Sequence, residues 1–177
     1  MKTNILLTGK PGVGKTTIIR KVLRSLDAEP GGFYTEEILG PKGRLGFSLN
    51  TLDGRCGILA HVDCDSPHRV SRYGVNVPDM LAIGVPALND ALANNPLIVA
   101  DEIGRMETFC YEFCGAIEQC LDSPKPVLGT IQMRRSRFLD RIRAREDVEL
   151  IEVIKKNRGF LPGIVAAKVQ KLLTAPP

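Results

Sequence analysis

The sequence predicts an α/β domain: a mostly parallel β-sheet with helices on both faces and an antiparallel section attached to it. Three observations carry that prediction. Short apolar runs alternate with segments of helical periodicity along the chain. A glycine-rich octapeptide separates the first apolar run from the first helical segment. An apolar strand in the middle of the chain ends in two adjacent carboxylates. The 177 residues fit one domain, 1–177. Hydrophobic residues at 44% and charged residues at 25% are globular proportions, which exclude disorder, collagen and coiled coil. No unbroken apolar run approaches the roughly 18 residues a membrane-crossing helix needs. Neither a repeat nor a linker is visible.

The elements follow in order. Asn4 to Thr8 reads as a strand and Gly9 to Thr16 as a loop. Thr16 to Asp27 is a helix, with Ile18, Ile19, Val22, Leu23 and Leu26 on one face, stopped by Glu29-Pro30-Gly31-Gly32. Phe33–Leu39 and Leu45–Leu52 are strands around the turn Gly40-Pro41-Lys42-Gly43. Asp53-Gly54 turns again into a strand at Gly57–Val62. Asp63 to Ser71, polar and containing Pro67, is a loop, and Tyr73 to Val77 a short strand. Asp79 to Ala93 is a helix broken or kinked at Pro86, because proline lacks the N–H the helix needs. Leu97–Ala100 is a buried strand ending at Asp101. Met106–Leu121 is a helix, Pro126–Ile131 a strand and Ser136–Arg145 a basic helix. Val148–Ile154 is a strand and Gly163–Leu173 the final helix.

Compartment and charge give weaker guidance. Only Ile5 to Leu7 are apolar near the N-terminus, too few for a signal-peptide core, so a cytoplasmic location is expected. Five cysteines, Cys56, Cys64, Cys110, Cys114 and Cys120, include no C-x-x-C pair and read as reduced or core thiols. A net charge of +4 leans toward anionic ligands without the asymmetry that names nucleic acid. Few exposed-looking apolar runs point to a monomer.

Gly9-Lys10-Pro11-Gly12-Val13-Gly14-Lys15-Thr16 fits G-x-x-x-x-G-K-[ST] at every fixed position. Glycines let the chain wind so that successive amides face phosphate oxygens. Lys15 then reaches the β- and γ-phosphates, and the Thr16 hydroxyl can ligate Mg²⁺. The helix that follows, with Thr17 in its first turn, aims its positive end at the same charge. The competing reading, a chance glycine-rich turn, does not explain the strand before it and the amphipathic helix after it.

Leu97-Ile98-Val99-Ala100-Asp101-Glu102 supplies the other half of a site at the carboxyl end of the sheet. Asp101 is placed to hold Mg²⁺ and Glu102 to activate water. Transition-state charge calls for a cation, with Arg105 the nearest candidate and Arg134, Arg135, Arg143, Arg145 and Arg158 the others. The basic stretch Arg134 to Arg145 reads as a solvated face, a phosphate-closing lid or a nucleic-acid contact. No aromatic interleaving supports the last. After the final strand, Arg158 is placed to stack on a nucleobase and Asn157 to hydrogen-bond it.

Together these segments resemble a known family. The phosphate loop, Gly32-Phe33-Tyr34-Thr35-Glu36-Glu37, Gly46-Phe47, Asp101-Glu102-Ile103-Gly104-Arg105-Met106-Glu107, Leu128-Gly129-Thr130-Ile131 and Asn157-Arg158 look like the small nucleoside-triphosphatases of thermophiles, the family that includes the human cancer-related nucleoside-triphosphatase. The resemblance covers about Asn4 to Leu173. It implies a three-layer, RecA-like P-loop fold with a strand inserted between the phosphate-loop strand and the acidic strand. It also implies slow Mg²⁺-dependent hydrolysis of ATP, GTP, CTP, UTP and TTP with little base preference. The phosphate-loop roles fall on Gly9 to Thr16 and the acidic roles on Asp101 and Glu102; Glu36 and Glu37 match the family segment and read either as one carboxylate near the metal or water or as an exposed charged strand edge. Ser71 stands where glycine is expected and Arg105 where lysine is common. Ile154 and Lys156 replace a threonine and a glutamate ahead of Asn157-Arg158, a change that bears on base recognition more than on catalysis. Two other readings stay open: a kinase for a nucleotide or small molecule, and a nucleotide-gated switch acting on RNA or a protein.

Overall fold

Residues 2–175 are described by the computed structural model. They form one nine-stranded sheet in the order β5-β6-β4-β3-β2-β7-β8-β1-β9. The strands are β1 (Asn4–Thr8), β2 (Pro30–Gly40), β3 (Gly43–Thr51), β4 (Cys56–His61), β5 (Arg69–Val70), β6 (Tyr73–Val75), β7 (Leu97–Ile103), β8 (Val127–Ile131) and β9 (Val148–Glu152). The helices are α1 (Lys15–Ser25), α2 (Val77–Asp79), α3 (Val85–Asn94), α4 (Tyr111–Asp122), α5 (Arg137–Arg143) and α6 (Leu161–Thr174).

β2, β7, β8, β1 and β9 run parallel, and β3 to β6 extend the sheet antiparallel from β2. β8 lies between β1 and β7, the inserted strand that the resemblance implied. Every residue of β1 and β8 is buried, as strands covered on both faces require. Successive side chains then feed two cores. Ile5, Leu7, Leu97 and Val99 pack with α1 and α6 residues such as Ile18, Val22, Val165 and Val169. Leu6 and Ile98 pack on the other face with Leu88 of α3, Phe113 and Ile117 of α4 and Leu139 of α5. Phe33 and Phe113 meet edge to face at 5.2 Å in that second core.

Tyr34 pairs with Asp101, so Thr35 to Gly40 and the facing part of β3 run past the end of the parallel strands. At about 3.3 Å per residue this hairpin stands roughly 20 Å above the sheet's carboxyl edge. It forms one wall of the site.

Three elements differ from expectation. The break at Pro86 is a π-helical turn over Met80–Gly84, where Val85 N–H reaches back to Met80 O. That widened turn accommodates a residue with no N–H to give. The segment Met106–Leu121 is not one helix: a 3₁₀ turn at Glu107–Phe109 precedes α4, and Cys110 between them is extended at φ −101°, ψ 109°. The loop Asp63 to Ser71 ends in the two-residue strand β5. All five cysteines are free thiols, and among the described residues no helix is long and apolar enough to cross a membrane.

Candidate active site

The loop between β1 and α1 is shaped by its glycines. Gly9 has φ 145°, and a Cβ there would stand 2.5 Å from the Val153 carbonyl of the neighbouring β9 end. Gly14 has φ 111° at the N-terminus of α1, where no side chain caps the helix. The first amides of α1 therefore face the cleft unclaimed by a cap, the arrangement that suits an anion. Lys15 is 9% exposed and folds over the loop. Its Nζ donates to Gly9 O at 3.0 Å and lies 3.7 Å from Glu102 Oε2.

The two carboxylates come from β7. Its pairing with β8 steps from Ala100↔Gly129 to Ile103↔Ile131, three residues against two. The Asp101–Glu102 peptide bond is cis. A regular pleat sends consecutive side chains to opposite faces, whereas a bulge re-aims them. Both acids meet residues of the glycine-rich loop and the start of α1 here: Glu102 meets Lys15 and Asp101 meets Thr16. Asp101 is 1% exposed; its Oδ1 accepts from Thr130 Oγ1 at 2.6 Å. Burial pushes the Asp101 carboxyl up, against hydrogen bonds from Thr130 and Thr16 and the charge of Lys15. Burial likewise raises Glu102, opposed by a Gln132 hydrogen bond and by Lys15.

Asp101 Oδ2 is buried and has no hydrogen-bond partner among the described residues. A hard cation would satisfy it, with the Thr16 hydroxyl close enough to bond Asp101 as the second protein oxygen. No group of three or more His, Cys, Asp or Glu is gathered to hold a metal among the described residues. A cation here would take its remaining oxygens from phosphate and water, as Mg²⁺ does.

A cleft of about 580 Å³ joins these parts. Its floor is the loop, with Gly9, Pro11, Gly12, Gly14, Lys15, Thr16 and Thr17; one side is Glu102, Gln132, Met133 and Arg134; the other is the β2–β3 hairpin, with Thr35, Glu36, Glu37, Arg44 and Phe47. Lys10 is exposed, and its carbonyl accepts Val13 N–H within the loop. Glu36 and Glu37 each pair with an arginine, Arg20 and Arg44 respectively.

The arginines divide. Arg105 is half-buried, and its N–H donates to Gln132 Oε1 at 3.0 Å; it is not among the residues lining the cleft. Arg134 lines it. Arg143 braces the β8–α5 loop through the carbonyls of Gln132 and Arg134 and through Asp140. Arg145 holds Asp147 and Asp122, and Arg135 lies 3.7 Å from Asp140. Arg158 flanks the loop, Nη1 to Val13 O at 3.4 Å. Asn157 shapes the turn after β9, accepting from Ile154 N–H and donating to Glu152 O.

No sequence motif pointed to Gln132 or Arg44 as site residues. Gln132 enters the cleft through β8 pairing with β7 and β1, Arg44 through the β2–β3 hairpin, and nothing in the local sequence of either marks it. Phe47, Thr130 and Glu107 fall within the segments that carry the family resemblance, which gave them no role.

A sequence-family model described as NTPase matches residues 4–166. The nucleoside-triphosphatase THEP1 of Thermotoga maritima is 46% identical over 157 residues, covering 89% of this chain and 90% of that protein. The crystal structure of THEP1 from the hyperthermophile Aquifex aeolicus superposes with a TM-score of 0.87 at 32% identity, over 94% of this chain and 99% of that one. The solution structure of a human cancer-related nucleoside triphosphatase gives 0.80 at 36% identity, over 97% and 98%. The likeness runs along nearly the whole length of these proteins, and the chain belongs to this NTPase family.

Proposed function

We propose that the protein hydrolyses the terminal phosphoanhydride of ATP, GTP, CTP, UTP and TTP with Mg²⁺ and little choice between bases. One observation carries the reading: Glu102 Oε2 stands 3.7 Å from Lys15 Nζ at the mouth of the phosphate loop. The lysine neutralises β- and γ-phosphate charge, and the carboxylate beside it takes a proton from the attacking water. Its raised affinity for a proton, caused by burial, brings it closer to the strength a general base needs at neutral pH. Amides from Gly12 to Thr16 orient the phosphates. Thr16 and Asp101 would hold Mg²⁺, which when bound adds neutralising charge on the β- and γ-oxygens. Arg105, or Arg134 from the cleft wall, supplies the remaining cation. Arg158 on the loop's shoulder offers a planar stacking surface that any base satisfies, with Asn157 holding its turn in place.

The test is phosphate release from ATP, GTP, CTP and UTP, with Mg²⁺ and with chelator, by wild type, Glu102→Gln and Lys15→Ala. The expected outcome is similar release from all four, lost with chelator. Glu102→Gln should fall about a hundredfold or more while still binding nucleotide. Lys15→Ala should lose binding and turnover together. Full turnover by Glu102→Gln would remove the base assignment.

A further inference from the structure

Glu107 opens the 3₁₀ turn after β7 and takes no part in the chemistry above. It is 4% exposed, and its Oε2 has no hydrogen-bond partner among the described residues. An unpartnered buried carboxyl is costly, and an apolar residue would fill the space without that cost. Its surroundings are specific. Oε2 lies 3.0 Å from the point where a Cβ on Gly104 would stand, and Gln132 Cδ and Nε2 lie 2.6 Å from the same point. Gln132 holds the Arg105 N–H on its Oε1 and hydrogen-bonds Glu102.

We propose that Glu107 is a positioning residue for hydrolysis: with Gln132 it packs against Gly104 and fixes the turn that presents Glu102 and Arg105. The inference rests on Glu102 being the base. The charge state of Glu107 supports it. Burial first, then the Glu102 charge, hold its carboxyl up to about 8, against the amides of Glu107 and Gly104. At neutral pH it is an uncharged acid, with no charge to repel Glu102. The titratable groups facing it are Glu102 and Asp101 of β7 and Cys114 of α4; the nearby cation, Lys15, acts on Glu102.

Four variants test this: Glu107→Gln, Glu107→Leu, Gly104→Ala and, in parallel, Glu102→Gln. Glutamine imitates the protonated acid, so Glu107→Gln should keep kcat and KM for ATP within about twofold at pH 7. It should also keep its rate at about pH 9, where the wild type slows as Glu107 ionises beside Glu102. Leucine fills the space but cannot accept from the Glu107 and Gly104 amides, so kcat should fall about tenfold or more with KM little changed. Gly104→Ala should lose kcat likewise with little change in Tm, because the nearest atoms its methyl meets belong to the Gln132 and Glu107 side chains and not to backbone.

Stability gives a second readout. The folded protein keeps this proton to about pH 8, whereas the unfolded chain releases it near 4.5. Wild-type stability should therefore fall as pH rises between those values, and the Tm gap to Glu107→Gln should widen. A Gln variant as slow as the Leu variant, a pH profile unmoved by Gln, or full kcat in Leu would overturn the proposal. Should Glu107→Leu not fold, the Gln profile and Gly104→Ala decide. Turnover surviving in Glu102→Gln would instead remove the base, whatever the Glu107 variants do.

Discussion

Ser71 has φ 55°, a left-handed conformation that costs most L-residues about 1 kcal/mol or more. Its position in the V-G-x-Y-like segment is where glycine was expected, and the backbone supplies the reason. Ser71→Gly should raise stability by about 0.5–1 kcal/mol in urea unfolding, the relief of strain being offset in part by a freer unfolded chain. Residues such as this, and the octapeptide around Lys15, are legible in sequence because the demand is local: one torsion, or one loop wound around one ligand. Asp101 and Glu102 are legible for a similar reason, since an apolar strand ending in paired acids is a short-range pattern. Gln132 and Arg44 are not. Gln132 gains its place only through β8 lying between β1 and β7, and Arg44 only through the β2–β3 hairpin rising beside the loop. Glu107 was visible as a residue, yet its burial depends on the turn at Cys110 that separates it from α4.

At the scale of elements, helical periodicity marked where apolar faces lie but not where helices bend. Met106 to Leu121 carries an apolar stripe, yet the chain turns at Cys110 so that Glu107 packs inward and α4 starts afresh on Phe113 and Ile117. The Pro86 disruption was legible because a missing N–H always needs accommodation; its form, a π turn, was not. The elements around β1 are joined by Asn4, which is fully buried. Its side chain accepts from Val127 N–H at 3.2 Å and donates to Leu121 O and Asp147 Oδ2 at 3.1 and 3.2 Å. One residue thus ties β1 to the start of β8, the end of α4 and the approach to β9. Asn4→Ala should cost about 1–3 kcal/mol, because it strands the buried Val127 N–H, whereas Leu121 O keeps Arg145 Nη2 at 3.3 Å. Denaturant unfolding of the pair measures it, with the slope expected to stay constant.

For the whole molecule, nucleotide bound in the cleft as proposed would couple binding to global stability. A non-hydrolysable triphosphate analogue at about a hundred times its Kd should add about 2.7 kcal/mol. In a chain of this size that amounts to a Tm rise of roughly 5–10 °C. Lys15→Ala should abolish the rise, while Glu102→Gln should retain it, which separates binding from turnover by calorimetry alone. The strand order carries a further consequence, for synthesis on the ribosome. The β2–β6 section pairs mostly between neighbours in sequence, so it can form as soon as it emerges. β1 has no such partner: the Asn4–Val127 bond alone spans 123 positions, and β9 comes later still. β1, the first of the nine strands in sequence, is therefore among the last to be paired, and a nascent chain cannot close the cleft until β8 has been made.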